Sequence, residues 1–503
     1  MKNKLKSIFA GFMAMTFVVT TLVFSSQVSN PSIASTKDDA WSGKAPKYIF
    51  LFIGDGMTYP QINAASDYLG TIKYKGEKVE NDPLSFMDFT YAGSATTFDS
   101  TSFCPDSAST ATSIATGHKT LSGVLGMNEQ KNIAYETIAE KLKKQFGYEI
   151  GIVSTVPLNH ATPAAFYAHQ PSRNNYYEIG LEMVDSHFNY FAGGGMLSQT
   201  GSDSNMTNIY DVAKSKGYDV IKDTTSILAL DKEDDNVIAV SPVLTGEAMP
   251  YEIDRASNAL SLADFTRKGI DVLMNDRGFF MMVEGGKIDW ACHANDAAAS
   301  IKDTLAFDNA VQEAIDFYNK YPDDTLIIVT GDHETGGMAI GYAGTKYNTY
   351  LDQLSAQTMS FEVYDQKIAS FRDTKASFDT VLEDVYENFG LVTSENASKT
   401  SYDNMILSDY ERSLLEEAYK LSMIPEDERN LSEEDERLYG GYEPLSMTLT
   451  HLLNNKSGIG WTSYKHTGLP TAVYAEGIGS TIFQGAYDNT AIYEKLAELT
   501  HVN

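Results

Sequence analysis

Lys47-Tyr48-Ile49-Phe50-Leu51-Phe52-Ile53-Gly54-Asp55-Gly56 is the stretch that decides the fold. A continuous apolar run closed by glycines around one acid has no polar face to offer water. It therefore reads as a strand buried on both sides, the kind found in parallel sheets. The pattern recurs. Residues 148–155 form a second such strand after a helical stretch, 136–146, that stops at Gly147. Residues 278–285 carry Phe279, Phe280, Met281, Met282 and Val283, and residues 325–330 run into Gly331-Asp332-His333. Helical spacing fills 301–318; near the end, 471–475 reads as a strand and 489–499 as a helix. Strands alternating with helices predict an α/β fold, a central and mostly parallel sheet sandwiched by helices. Ligands of such sheets collect beyond the carboxyl ends of the strands. Asp55, Glu284, Asp332 and His333 all fall there.

Residues 338–460 break the alternation. They are tyrosine-rich and polar, acid-rich across 425–437, and helical around 409–423 and 443–453. The expectation is an inserted surface lobe, or a subunit contact, within a catalytic domain spanning 35–503.

The 503 residues carry 38 Lys+Arg against 68 Asp+Glu, a formal net charge of −30. Such a chain repels nucleic-acid backbones and anionic membranes, which excludes a basic-patch binding role. Surplus carboxylates are also what divalent cations need. Lys2, Lys4 and Lys6 precede an apolar run, 8–24, and then Ser32-Ile33-Ala34. This is the order of a signal peptide over 1–34, so the chain reads as exported, to a periplasm or the medium. No second run of that kind follows, and no membrane span is expected in the mature protein. The two cysteines, Cys104 and Cys292, read equally as a disulfide or as two thiols.

Pro105-Asp106-Ser107-Ala108 suits a helix entry, with Ser107 on a first turn where free amides and the helix dipole favour an anion. Taken alone, the segment favours the plainer reading, in which Ser107 or Asp106 is only an N-cap. Asp289 and His293 stand four apart, so one helical face presents both to a single cation. Glu284 lies just upstream, Asp332 and His333 are adjacent, and His466 stands before Thr467-Gly468. Mixed imidazole and carboxylate donors suit two borderline cations, and an oxygen-only set suits a harder one.

These segments together resemble the alkaline phosphatases. The resemblance is carried by the Asp55 strand end, Pro105-Asp106-Ser107-Ala108, and Val283-Glu284-Gly285 through His293. It continues in Thr330-Gly331-Asp332-His333-Glu334-Thr335-Gly336-Gly337 and His466-Thr467-Gly468, with support from residues 154–173. It implies a phosphate-monoester hydrolase working through a phosphoserine on Ser107, with Arg173 clamping the phosphate. It implies two zinc ions, one on Asp289, His293 and His466, the other on Asp55, Asp332 and His333. It implies one magnesium ion on Asp55, Thr162 and Glu284, small phosphate monoesters as substrates, and a homodimer. His160 and Trp290 stand near the implied metals, at positions that vary within the family.

Two other readings carry less. A sulfatase needs a modified Cys or Ser in a C-x-P-x-R frame, and no arginine follows Pro105 at that spacing; a phosphodiesterase of the same superfamily rests on analogy alone. A non-catalytic phosphate- or metal-binding protein gains nothing from a serine aligned between cations.

Overall fold

Tyr48–Gly54 (β1) is buried along its whole length in the computed structural model, which describes residues 41, 43–201 and 205–503. The signal peptide expected over 1–34 lies outside the described residues. The other strands, in chain order, are Tyr91–Thr96 (β2), Glu149–Ser154 (β3), Tyr190–Gly193 (β4), Asp219–Ile221 (β5), Val237–Val240 (β6) and Phe279–Glu284 (β7). Thr325–Gly331 (β8), Glu334–Thr335 (β9), Ala339–Ile340 (β10), Ile459–Gly460 (β11), His466–Thr467 (β12), Thr471–Gly477 (β13) and Gly485–Asp488 (β14) follow. Ten of them form one sheet in the order β14-β2-β13-β8-β1-β7-β3-β4-β6-β5. Neighbours are parallel except around β13, which runs antiparallel to both β8 and β2.

Register positions the chemistry. Ile53 lies opposite Glu284, Gly54 opposite Gly331, and Ser154 opposite Glu284. The central strands therefore stop level with one another, and Asp55, Glu284 and Asp332 emerge from a single edge. Period-two alternation splits β1 between two cores. Phe50 and Phe52 pack with Met281, Val283, Ile327 and Val329 on one face. Ile49, Leu51 and Ile53 pack with Ile150, Ile152, Phe280 and Met282 on the other. Helices Tyr59–Tyr74, Leu262–Leu273 and Ala297–Tyr318 supply residues to the first core, and Ser107–Thr116, Ile138–Phe146 and Thr490–Thr500 to the second. Phe280 is fully buried, so truncating it to alanine should cost about 3–5 kcal/mol.

The expected central elements form within a few residues of their predicted bounds. The 301–318 helix begins earlier, at Ala297, because Asp296 accepts from Ala299 N and caps it. The sheet is wider than the sequence suggested: β2, β4, β5, β6 and β14 were not expected. Residues 338–460 add no strand to it. Their two ends pair with each other, Ala339 opposite Gly460 and Ile340 opposite Ile459. Between them lie the expected helices, Asp409–Ser422 and Pro444–Ser457, and the unexpected Phe361–Thr374, Phe378–Phe389 and Glu433–Tyr439. Cys104 and Cys292 are unpaired, the first exposed and the second buried. Among the described residues no helix is long and apolar enough to cross a membrane.

Candidate metal centre

Ser107 is the first residue of a helix, Ser107–Thr116, whose side chains are all buried. The capping role falls to Asp106, which accepts from Ser109 N at 3.1 Å. Ser107 Oγ is thereby free of the helix end. It lies 3.1 Å from His333 Nε2 and 3.5 Å from Asp55 Oδ1. The unpaired amides of the same turn make an anion site beside it.

Ligand-type atoms of Asp55, Asp332 and His333 lie within 4.8 Å of one another, and so do those of Asp289, His293 and His466. The turn after β1 brings the two groups together. Gly56, at φ +69°, donates its N–H to Asp332 Oδ1 at 3.2 Å. A Cβ there would stand 2.9 Å from the Asp289 backbone, so only glycine fits.

Hydrogen bonds fix how the imidazoles face. His293 Nδ1 lies 2.6 Å from the Tyr464 carbonyl, and His466 Nδ1 lies 2.5 Å from the Pro105 carbonyl. A carbonyl only accepts, so both Nδ1 atoms carry protons and both Nε2 lone pairs point inward. Those two Nε2 atoms are 3.1 Å apart. Thr335 donates its hydroxyl proton to Asp289 Oδ1 at 2.5 Å, and His333 Nδ1 lies 3.3 Å from the same hydroxyl oxygen. His333 therefore donates there and also turns Nε2 inward. Three converging lone pairs among carboxylates is a cation-binding arrangement.

An oxygen-only group adjoins it. Asp55 Oδ2 accepts from Thr162 Oγ1 at 3.1 Å. Glu284 accepts from Ser154 Oγ through one oxygen, and its buried Oε1 has no hydrogen-bond partner among the described residues. Burial, reinforced by the Asp332 charge, pushes Glu284 up to about 8. Burial and then Asp289 push Asp332 up to about 6. Asp55 is raised by burial first and then by Asp332, Asp289 and Glu284. Burial lowers His333 and His466 to about 4. Asp289 goes the other way: burial opposes, but His293, His466 and His333 hold it below the usual carboxylate range. Buried, mutually repelling acids beside imidazoles fit divalent cations, which would relieve that repulsion.

Arg173 donates from one NH2 group to Asp106 Oδ2 at 3.0 Å and from the other to His160 Nε2 at 3.3 Å. Burial and the neighbouring guanidinium lower His160 to about 3. Trp290 meets the His160 ring edge-on at 5.8 Å. The other eleven residues singled out in the sequence thus gather into one cluster with Ser107. The sequence reading gave no role to Thr335, to Ser154, or to Thr110, which donates to Asp332 Oδ2 at 3.0 Å. Their positions two residues after His333, at the end of β3 and one helical turn after Ser107 were the available signals.

The family description that matches residues 46–502 is alkaline phosphatase. The chain belongs to the alkaline phosphatase family. Alkaline phosphatase 3 of Bacillus subtilis (strain 168) is 29% identical over 497 residues, covering 97% of this chain and 96% of that protein. Alkaline phosphatase 4 of the same organism is 30% identical over 451 residues, covering 88% and 86%. Among solved structures, the cold-active alkaline phosphatase of the psychrophile Shewanella sp. superposes with a TM-score of 0.73 at 26% identity, covering 90% of this chain and 99% of that one. The Thermus thermophilus alkaline phosphatase shares the fold, at TM-score 0.74 and 23% identity over 92% of each chain. Like these alkaline phosphatases, the chain is a phosphomonoester hydrolase with a large, mostly parallel sheet between helical layers.

Proposed function

We propose that this phosphatase works through a covalent phosphoserine on Ser107, flanked by two zinc ions and one magnesium ion. Asp289, His293 and His466 would hold one zinc, Asp55, Asp332 and His333 the other, and Asp55, Thr162 and Glu284 the magnesium. The observation that carries this reading is the position of Ser107 Oγ, at the mouth of an anion-binding helix turn and against the inward face of His333. Bound in these sets, the ions supply Lewis acidity that makes a serine hydroxyl and a water acidic near neutral pH.

The chain's own groups do the rest. Amides of the Ser107 turn and the Arg173 guanidinium bind the non-bridging phosphate oxygens, and Asp106 and His160 keep Arg173 aimed. Ser107 Oγ, having lost its proton, forms a bond to phosphorus as the ester P–O bond breaks, and the alcohol leaves with a proton. Water then adds to phosphorus from the vacated side as the P–Oγ bond breaks; its oxygen leaves in inorganic phosphate, one of its protons restores the Ser107 hydroxyl, and the phosphate is released. Two in-line displacements give net retention at phosphorus.

The same reading makes 1–34 a removable signal peptide and the chain an exported, homodimeric phosphatase of small monoesters, with 338–460 an inserted lobe on the catalytic domain. Acid quenching during turnover tests the mechanism. Phosphate should be recovered on the Ser107 peptide of the wild type and be absent from Ser107→Ala, whose turnover should fall by about a thousandfold or more. Full turnover in Ser107→Ala would remove Ser107 from the mechanism.

A further inference from the structure

The helix that carries Asp289 and His293 spans only Lys287–His293, and its N-cap residue, Gly286, offers no side-chain cap. A helix of two turns does not hold its own shape or direction. Its orientation has to come from what grips its ends, and residues of the 338–460 stretch grip both.

At the first turn, Lys287 is completely buried. Its ammonium lies 3.3 Å from Glu362 Oε2, at the start of the Phe361–Thr374 helix. It also sits 3.6 Å from the centre of the Tyr251 ring and 4.7 Å from that of Trp290. The carboxyl groups of Asp303 and Asp254 also lie near it. Beyond the last turn, Asp296 accepts from Gln357 Nε2 at 2.9 and 2.8 Å and from Phe361 N at 2.9 Å. Between these points Asn295 turns the chain at φ +47°. Its carbonyl accepts from Asn454 Nδ2 at 2.6 Å, and its side chain donates to the Ser463 carbonyl at 2.9 Å. Ser463 belongs to the loop that leads to His466.

We propose that Glu362 and Gln357 are positioning residues for the metal-ligand helix: by gripping Lys287 at its start and Asp296 beyond its end, they set where Asp289 and His293 stand relative to His466. The proposal rests on the metal reading above. It gives the 338–460 stretch a task in the reaction, which is to serve as the outer half of a clamp whose inner half is the sheet.

The test uses the full-length mature protein. Glu362 is one-third exposed, so Glu362→Gln should fold even where Lys287→Met does not. Lys367→Met serves as the control, because Lys367 lies on the same helix and pairs with Asp384 at 2.5 Å. Glu362→Gln should lose zinc to a chelator about tenfold faster than wild type. Its kcat should fall and recover with added zinc, while KM for a simple monoester moves by less than about twofold. Hydrogen exchange across 287–296 should quicken in the metal-free protein. Glu362→Asp should fall between wild type and Glu362→Gln, and Lys367→Met should change none of these. Wild-type zinc loss and wild-type exchange in Glu362→Gln, with only a lower melting temperature, would overturn the proposal. A wild-type chain that retains no zinc would overturn the metal reading instead, and hydrogen exchange would then decide the clamp by itself.

Discussion

Asp55, Asp332 and His333 stand just past the ends of two paired strands, whereas Asp289, His293 and His466 come from a seven-residue helix and the two-residue strand β12 far along the chain. The first group is fully buried, and the register that aligns Gly54 with Gly331 also fixes the separation of its members. The second has two partly exposed imidazoles, held through main-chain carbonyls of Tyr464 and Pro105. One triad is a by-product of sheet register. The other is assembled from pieces, and its geometry is only as firm as the contacts behind it. The difference teaches that a single cluster can combine a half set by strand register, beside Ser107, with a half set by separate contacts on the more exposed side.

That contrast can be broken most sharply by removing one imidazole from each side. His333→Ala should lower kcat/KM by roughly a thousandfold or more, with no recovery in added zinc, because the strands cannot close over the gap. His466→Ala should lose on the order of a hundredfold and regain part of it in millimolar zinc. The reverse ranking would refute the contrast. A smaller effect sharpens it: chelator treatment followed by metal analysis should show two phases, with the faster one abolished when the Asp289 side is already empty in Asp289→Asn. A single phase would mean that both triads are equally firm.

The smallest effect concerns the Phe361–Thr374 helix, where burial pushes Asp365 up to about 7 from 3.8. Its Oδ1 has no hydrogen-bond partner among the described residues. The folded state therefore binds this proton more tightly than the unfolded chain does. The group's contribution is present in acid and is lost as pH rises through about 7. Asp365→Asn lacks that dependence, so relative to wild type it should gain about 1–3 kcal/mol of unfolding free energy between about pH 4 and about pH 8. Denaturant titrations at the two pH values check it, and parallel curves for the two proteins would count against the assignment.

The centre of the sheet was legible because a strand buried on both faces has to be apolar along its length, as β1 is and as Phe279–Val283 of β7 and Leu326–Val329 of β8 are. The edges were not. Asp219–Ile221 and Val237–Val240 are too short to carry a period, and β2 is broken by Gly93 and Ser94. In 338–460, Ser360 and Ser377 cap the Phe361–Thr374 and Phe378–Phe389 helices, and Gly390 ends the second. Those signals were present but were obscured by the polar composition around them. The residues that cluster around Ser107 stood out in the sequence because imidazoles and acids at strand ends have few structural reasons to be there. What aims them could not be read, since the Tyr464 and Pro105 carbonyls and the clamp from Gln357 to Asp296 join positions that no local pattern relates.

Anomalous diffraction at the zinc edge, on crystals of the zinc-loaded protein, bears most directly on the arrangement around Ser107. The expected result is two peaks on either side of Ser107 Oγ, one within bonding distance of Asp289, His293 and His466 and one of Asp55, Asp332 and His333. A single peak elsewhere, or none near Ser107, would contradict it.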